Sequence, residues 1–205
     1  MGSIDIILVL DASGSMQPLI KDTVGGVNKF IEDQRKEPGD AYVTLHTFDN
    51  RHTERYAAKH LRDVPVLTVD DYYGGHGGST SLLDAVGFAI KKYEALPIKA
   101  DKTMFVIDTD GEENASVEWS FETVSKLIEQ HQNNGWGFVF LGANNSQWQG
   151  YKLGASGVGA YVANSMGVDR KYANLTDNTS MVRSAAGSAS ATISSQSYDT
   201  DDEPA

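Results

Sequence analysis

The feature that most restricts this chain is a pair of short, wholly apolar runs that each break off at acidic residues. Ile6–Leu10 leads directly into Asp11-Ala12-Ser13-Gly14-Ser15, and Met104–Ile107 into Asp108-Thr109-Asp110-Gly111-Glu112-Glu113. An apolar run of this length without alternation reads as a strand buried on both faces, as in a parallel sheet. Helical periodicity fills the intervals. Met16, Leu19, Ile20, Val24, Val27, Phe30 and Ile31 recur at threes and fours and predict a helix that Pro38-Gly39 ends. Leu82, Leu83, Val86, Ile90 and Tyr93 predict a second helix starting near Thr80. Phe121, Val124, Leu127, Ile128 and His131 predict a third, closed by Asn133-Asn134-Gly135.

The remaining segments extend the pattern. Tyr42–Phe48 reads as a strand, and the polar stretch His52–Lys59 as its partner through the turn at Asp49-Asn50, with charges that suit a sheet edge. Phe138–Leu141 is a further buried strand, Gly157–Val162 a weaker one, and Met181–Ile193 a small-residue helix. Leu61–Tyr73 is expected to link elements with little regular structure, and Gly74–Thr80 to form a flexible loop. Gly25-Gly26 weaken the first helix and are expected to mark its close approach to the sheet. Strands alternating with helices imply an α/β fold: a doubly wound, mostly parallel central sheet with one antiparallel edge strand and helices on both faces.

At 205 residues with 40% hydrophobic composition, the chain suits one domain, expected over residues 1–195, with an acidic flexible tail over 196–205. The net charge of -11 leaves no basic stripe to neutralise phosphates, so neither nucleic acid nor an acidic membrane surface is an expected partner. The lack of cysteine rules out disulfides, thiolate metal sites and Cys nucleophiles. Ile4–Leu10 is too short to span a membrane and no basic segment precedes it, so cytoplasm is the expected compartment.

In a doubly wound sheet, ligands lie beyond the carboxyl ends of the strands, where the connection order reverses. Asp11, Ser13 and Ser15 follow the first strand, Asp110 follows the central one, and Thr80 opens a helix on the same edge. Taken singly, Asp and Ser ahead of a helix are ordinary turn and N-cap residues. Jointly they make two carboxylates and three hydroxyls, a hard oxygen set that suits Mg²⁺, with Mn²⁺ and Ca²⁺ at the margin, and disfavours zinc and copper.

These segments resemble the motifs of a known family. Asp11-Ala12-Ser13-Gly14-Ser15-Met16 is similar to the first motif of the metal-ion-dependent adhesion site (MIDAS) of von Willebrand factor A domains. Gly78-Ser79-Thr80-Ser81-Leu82-Leu83-Asp84-Ala85 resembles the threonine loop, and Thr109-Asp110-Gly111-Glu112 the third motif, in the family's order. The resemblance implies a Rossmann-like fold and an ion ligated, directly or through water, by Asp11, Ser13, Ser15, Thr80 and Asp110. It also implies an open metal position that takes a carboxylate from a partner protein, giving binding without catalysis. Short domains of this kind occur in bacteria and their phages, often within larger assemblies, so a virion or other assembly is the expected setting if the chain is phage-encoded.

Asp108 departs from the family, which carries an apolar residue there; a supporting or structural role is expected. His76 stands in the glycine loop, either at the rim or simply solvated, and Glu112 and Glu113 read as solvated loop charges. His46, on a strand, reads as a hydrogen-bonded core histidine, and the Trp136, Trp148 and Tyr151 region as packing. Two rival functions exist. A phosphohydrolase of haloacid dehalogenase type also places Asp after its first strand, but carries a second acidic residue two positions on, where this chain has Ser13. The other rival is an assembly component whose ion only stabilises the fold. A phosphate loop is excluded because Gly78-Ser79-Thr80 lacks the Gly-Lys-Ser/Thr ending.

Overall fold

In the computed structural model, which describes residues 2–75, 77–143, 146–194, 196 and 198, six strands form one sheet in the order β3-β2-β1-β4-β5-β6. The strands are β1 (Ile4–Asp11), β2 (Ala41–Phe48), β3 (His52–His60), β4 (Lys102–Thr109), β5 (Gly137–Ala143) and β6 (Gly157–Tyr161). Every pairing is parallel except β2 with β3, which run antiparallel at the edge. The order steps outward from β1 in both directions, so the reversal point lies between the carboxyl ends of β1 and β4. Register carries the motifs together: Leu10 pairs with Asp108 on one side, and Asp11 with Phe48 on the other.

Seven helices accompany the sheet among the described residues: α1 (Ile20–Gln34), α2 (Val69–Tyr73), α3 (Leu82–Glu94), α4 (Phe121–Asn133), α5 (Trp148–Leu153), α6 (Ser165–Ser184) and α7 (Ala189–Ile193). Successive residues of a strand face opposite sides. Ile6, Leu8 and Leu10 of β1 accordingly join a core with Val27 and Phe30 of α1 and Leu175 of α6. Ile7 and Val9 join the opposite core with Val86 and Ile90 of α3 and Ile128 of α4. No helix among the described residues is long and apolar enough to cross a membrane.

Four expectations are corrected. The linking segment 61–73 contains α2, opened by a capping box in which Thr68 Oγ1 accepts from the Asp71 backbone N–H at 3.0 Å and the Asp71 side chain accepts from Thr68. The expected helix 181–193 is instead the end of the 20-residue α6, a break, and the short α7 capped by Ser188. Apolar periodicity misses α6 because its buried face alternates Val168, Tyr172, Leu175 and Val182 with Lys171, Asn178, Thr179 and Arg183. Gly26 makes room for α6 rather than for the sheet: a Cβ there would lie 2.1 Å from Tyr172 Cδ2, whereas one on Gly25 would meet nothing within 4 Å. Finally, Tyr198, expected in a solvated tail, is 2% exposed and packs on Gly157 and Gly159 of β6. Residues 197 and 199–205 of the expected tail, and His76, lie outside the described residues.

Two side-chain readings also change. His46 is buried in the core under Phe88, but neither ring nitrogen has a hydrogen-bond partner. Trp136 is packing, stacked between Phe105 and His131, while Trp148 and Tyr151 on α5 are 42% and 67% exposed.

Candidate metal centre

The site is built from three loops at the carboxyl end of the sheet. The first leaves β1 at Asp11 and enters a tight 3-10 turn, Gly14–Leu19, ahead of α1. Asp11 Oδ1 accepts from the Ser13 N–H at 2.7 Å, which folds the turn back on its own carboxylate. Tyr72 of α2 donates its hydroxyl to the Asp11 carbonyl oxygen and so anchors the end of β1 from the α1 side of the sheet. The second loop, which precedes α3, is fastened to the first by a hydrogen bond from Gly14 N–H to the Gly78 carbonyl at 3.0 Å.

The third loop follows β4. Asn114 Oδ1 accepts from the Thr80 N–H at 3.0 Å, and the Thr80 carbonyl accepts from the N–H groups of Asn114 and Ala115 at 3.0 and 3.2 Å. Thr80 is thereby held between the second and third loops. Glu113 is no solvated loop charge: its carboxylate accepts from the N–H groups of Leu83, Ala115 and Ser116 and from the Ser116 hydroxyl, at 2.7 to 3.0 Å. Asp84 accepts three more N–H groups, those of Val117, Glu118 and Trp119. The two carboxylates tie the loop after β4 to the first turn of α3.

All five candidate ligands come together. Ser15 Oγ donates to Asp110 Oδ1 at 2.6 Å, and the Ser13 and Ser15 hydroxyls lie 3.2 Å apart. A methyl group on Gly111 would stand 3.0 Å from Thr80 Oγ1, 3.5 Å from Ser15 Oγ and 3.7 Å from Asp11 Oδ2. Oxygens from three separate segments thus face one small space beside a residue with no side chain. Asp11, Ser13 and Thr80 form a buried floor, while Ser15 is exposed and Asp110 partly so, which leaves the space open to solvent on one side.

Both carboxylates of the site are desolvated. Burial pushes the Asp11 carboxyl up to about 7, with the neighbouring Asp110 adding to the rise and hydrogen bonds from Thr109 and Ser13 opposing it. Asp110 is also raised, by burial first and then by repulsion from Asp108, against the Ser15 hydrogen bond. Two desolvated carboxylates side by side favour whatever neutralises them, a proton or a cation. Among the described residues no group of three or more His, Cys, Asp or Glu side chains is placed to hold a metal, so an ion here relies on the hydroxyls. The donor set of two carboxylates and three hydroxyls fits a hard divalent cation.

Sequence reasoning missed three supporting residues. Thr109 Oγ1 donates to Asp11 Oδ2 at 2.5 Å, bridging β4 to β1. Gln149 of α5 donates to the Gly111 carbonyl at 3.0 Å and accepts from the Glu113 N–H at 2.8 Å, bracing the third loop from beneath. Lys171 of α6 donates to both oxygens of Asp108, at 2.9 and 2.7 Å, while Tyr161 and Tyr172 donate their hydroxyls to the same carboxylate at 3.1 and 2.9 Å. Asp108 therefore has a structural role, as expected of it. The first residue lies within a motif and was legible; Gln149 and Lys171 carry no sequence signal that links them to the site.

No protein-family model and no curated protein sequence matches the chain. Solved structures do. Proximal thread matrix protein 1 from the mussel byssus superposes with a TM-score of 0.67 at 19% identity, over 87% of this chain and 46% of that one. A second structure of that protein, with a zinc-occupied MIDAS motif, gives 0.68 at 17% over the same shares. A von Willebrand factor type A protein from Catenulispora acidiphila gives 0.61 at 14%, over 86% and 42%. The vWF domain of the type V pili tip protein Mfa5 from Porphyromonas gingivalis gives 0.60 at 8%, over 87% of this chain and 95% of that domain. The chain spans less than half the length of the first of these structures. Sheet order, the antiparallel edge strand and these superpositions together establish that the chain has the von Willebrand factor A fold.

Proposed function

We propose that this chain is a divalent-cation-dependent protein-binding module, with Mg²⁺ the expected ion, or Mn²⁺ or Ca²⁺ in its place. The observation that carries the reading is the convergence of Asp11, Ser13, Ser15, Thr80 and Asp110 around the space beside Gly111. The ion would supply a positive charge with a coordination position for an oxygen of the partner, typically an Asp or Glu carboxylate. On a chain of net charge -11, such a local positive charge is what permits an acidic group of another protein to dock. The chain's own residues do the rest: Asp11 and Thr80 sit in the buried floor, Ser15 and Asp110 form the open side, and Thr109 and Gln149 hold the carboxylate and the loop in place.

Support for a binding role comes also from the neighbours that share the fold, a byssal matrix protein and pilus proteins. A phosphohydrolase reading is weakened because Ser13 occupies the acid–base position and its hydroxyl is paired with Ser15. The test is titration of the EDTA-stripped chain with Mg²⁺ and Mn²⁺ by calorimetry, beside Asp11→Ala, followed by capture of binding partners with and without the ion. Saturable uptake by the wild type, lost in Asp11→Ala with the circular dichroism unchanged, and capture that EDTA abolishes, are the expected results. Capture unaffected by EDTA overturns the reading, and loss of the fold on stripping makes the ion a purely structural one. Because zinc occupies the motif in the mussel protein, Zn²⁺ is titrated alongside.

A further inference from the structure

A third carboxylate stands at the same end of the sheet. Asp108, on β4, lies two residues before Asp110, and its side chain points to the α6 side of the sheet, where among the described residues Lys171, Tyr161 and Tyr172 supply its hydrogen bonds. Asp108 and Lys171 are each 1% exposed, and the ammonium also sits 3.9 and 4.8 Å from the ring centroids of Tyr161 and Tyr172. A lone charge is costly in such a place, so each of the pair requires the other. Both are also within electrostatic reach of Asp110. Asp11, Asp108 and Asp110 contribute three formal negative charges and Lys171 one positive, which leaves two.

We propose that Lys171 is a built-in counter-cation that holds the formal charge of the metal centre at the two units a divalent ion neutralises, and so sets how tightly the centre takes such an ion. This rests on the cation-binding reading above. Lys171 touches none of the five candidate ligands; it acts through Asp108 and through its field at Asp110. Two residues of strand span roughly 7 Å, and at that range a unit charge behind a partly desolvated site changes the affinity for a divalent ion by at least about tenfold.

The test is calorimetric titration of Mg²⁺ and Mn²⁺ into four EDTA-stripped proteins: wild type, Asp108→Asn, Lys171→Met and the double variant, each checked for its fold by circular dichroism. Asp108→Asn keeps the acceptor for the two tyrosines and leaves the Lys171 charge uncancelled, so affinity is expected to fall by at least about tenfold. Lys171→Met removes the positive charge and leaves Asp108 either ionised or neutralised by a proton, so affinity is expected to hold at the wild-type level or rise, and not to fall. The double variant restores the formal charge and returns to within a few-fold of the wild type. A role in packing alone moves both single variants the same way, or neither, and either outcome overturns the proposal. If Lys171→Met does not fold, Asp108→Asn against the double variant decides it: equal affinities refute the counter-cation. A wild type that takes up neither ion overturns the cation-binding reading itself, and this proposal with it, whereas normal wild-type uptake without the charge-ordered series removes Lys171 alone.

Discussion

His46 offers a direct measurement of what burial costs an ionisable group in this fold. It lies on β2 with 1% exposure, edge-on to Phe88 at 6.1 Å between ring centroids, and no hydrogen bond reaches either nitrogen. Burial lowers its pKa from 6.5 to about 4, and the nearby His52 and Lys92 charges push in the same direction. A group whose folded value is depressed in this way resists protonation in the native state while the unfolded chain takes up the proton freely. The stability held by neutral His46 is therefore complete above about pH 6.5, declines as pH falls, and is fully lost near pH 4, where the folded form protonates too. The gap of about 2.5 units at 1.36 kcal/mol per unit corresponds to about 3 kcal/mol, of which about 2 kcal/mol is gone by about pH 5. Urea unfolding of wild type and His46→Leu at fixed ionic strength, from about pH 7.5 down to about pH 4.5, isolates this contribution, because the carboxylates titrate alike in both proteins. At neutral pH the two are expected to be of similar stability, since the replaced imidazole makes no hydrogen bond. The wild type then loses ground to the variant as the solution is acidified. A difference between them that stays constant across the range refutes the assignment of His46 as a buried neutral imidazole.

Two further predictions concern glycines. Gly111→Ala places a methyl group 3.0 Å from Thr80 Oγ1 within the space the candidate ligands share, at a backbone conformation alanine tolerates, so Mg²⁺ affinity measured by calorimetry is expected to fall by at least about tenfold with little change in Tm; undiminished uptake places the ion elsewhere. In α1 the adjacent glycines part company: Gly26→Ala drives a Cβ into the Tyr172 ring and is expected to destabilise by about 1–3 kcal/mol. Gly25→Ala faces open space and is expected to stabilise by about 0.4–1 kcal/mol. Denaturant midpoints of the two variants check this, and equal shifts refute the packing of α6 on α1.

The elements that hold the motifs were legible because their signals are local. An apolar run that ends at Asp11 or Asp108 states the strand and, to within two residues, the point where it stops, and the amphipathic spacings of α1, α3 and α4 need no knowledge of their partners. The capping box at Thr68 and Asp71 was equally local, and the apolar pattern across residues 61–73 was too weak to draw attention to it. The five candidate ligands follow from those stops together with the rule that doubly wound sheets bind beyond their carboxyl ends.

What the tertiary structure alone decided is the polar interior on the α6 side. Nothing in Lys171, Asn178 or Arg183 announces burial, since charged and amide side chains are ordinarily exposed. Lys171 is buried because Asp108 lies opposite it on β4, and Arg183 because the carbonyls of Gln34 and Gly39 at the end of α1 receive its guanidinium at 2.7 and 2.9 Å. Tyr198 leaves the acidic tail for the core because two glycines of β6 leave room for its ring. Each placement depends on a partner distant in the chain, and a pairing energy between remote residues leaves no periodicity in either segment. The sequence alone determined the sheet, the crevice and the oxygen-bearing residues around it; the three-dimensional packing determined which charges lie behind that crevice.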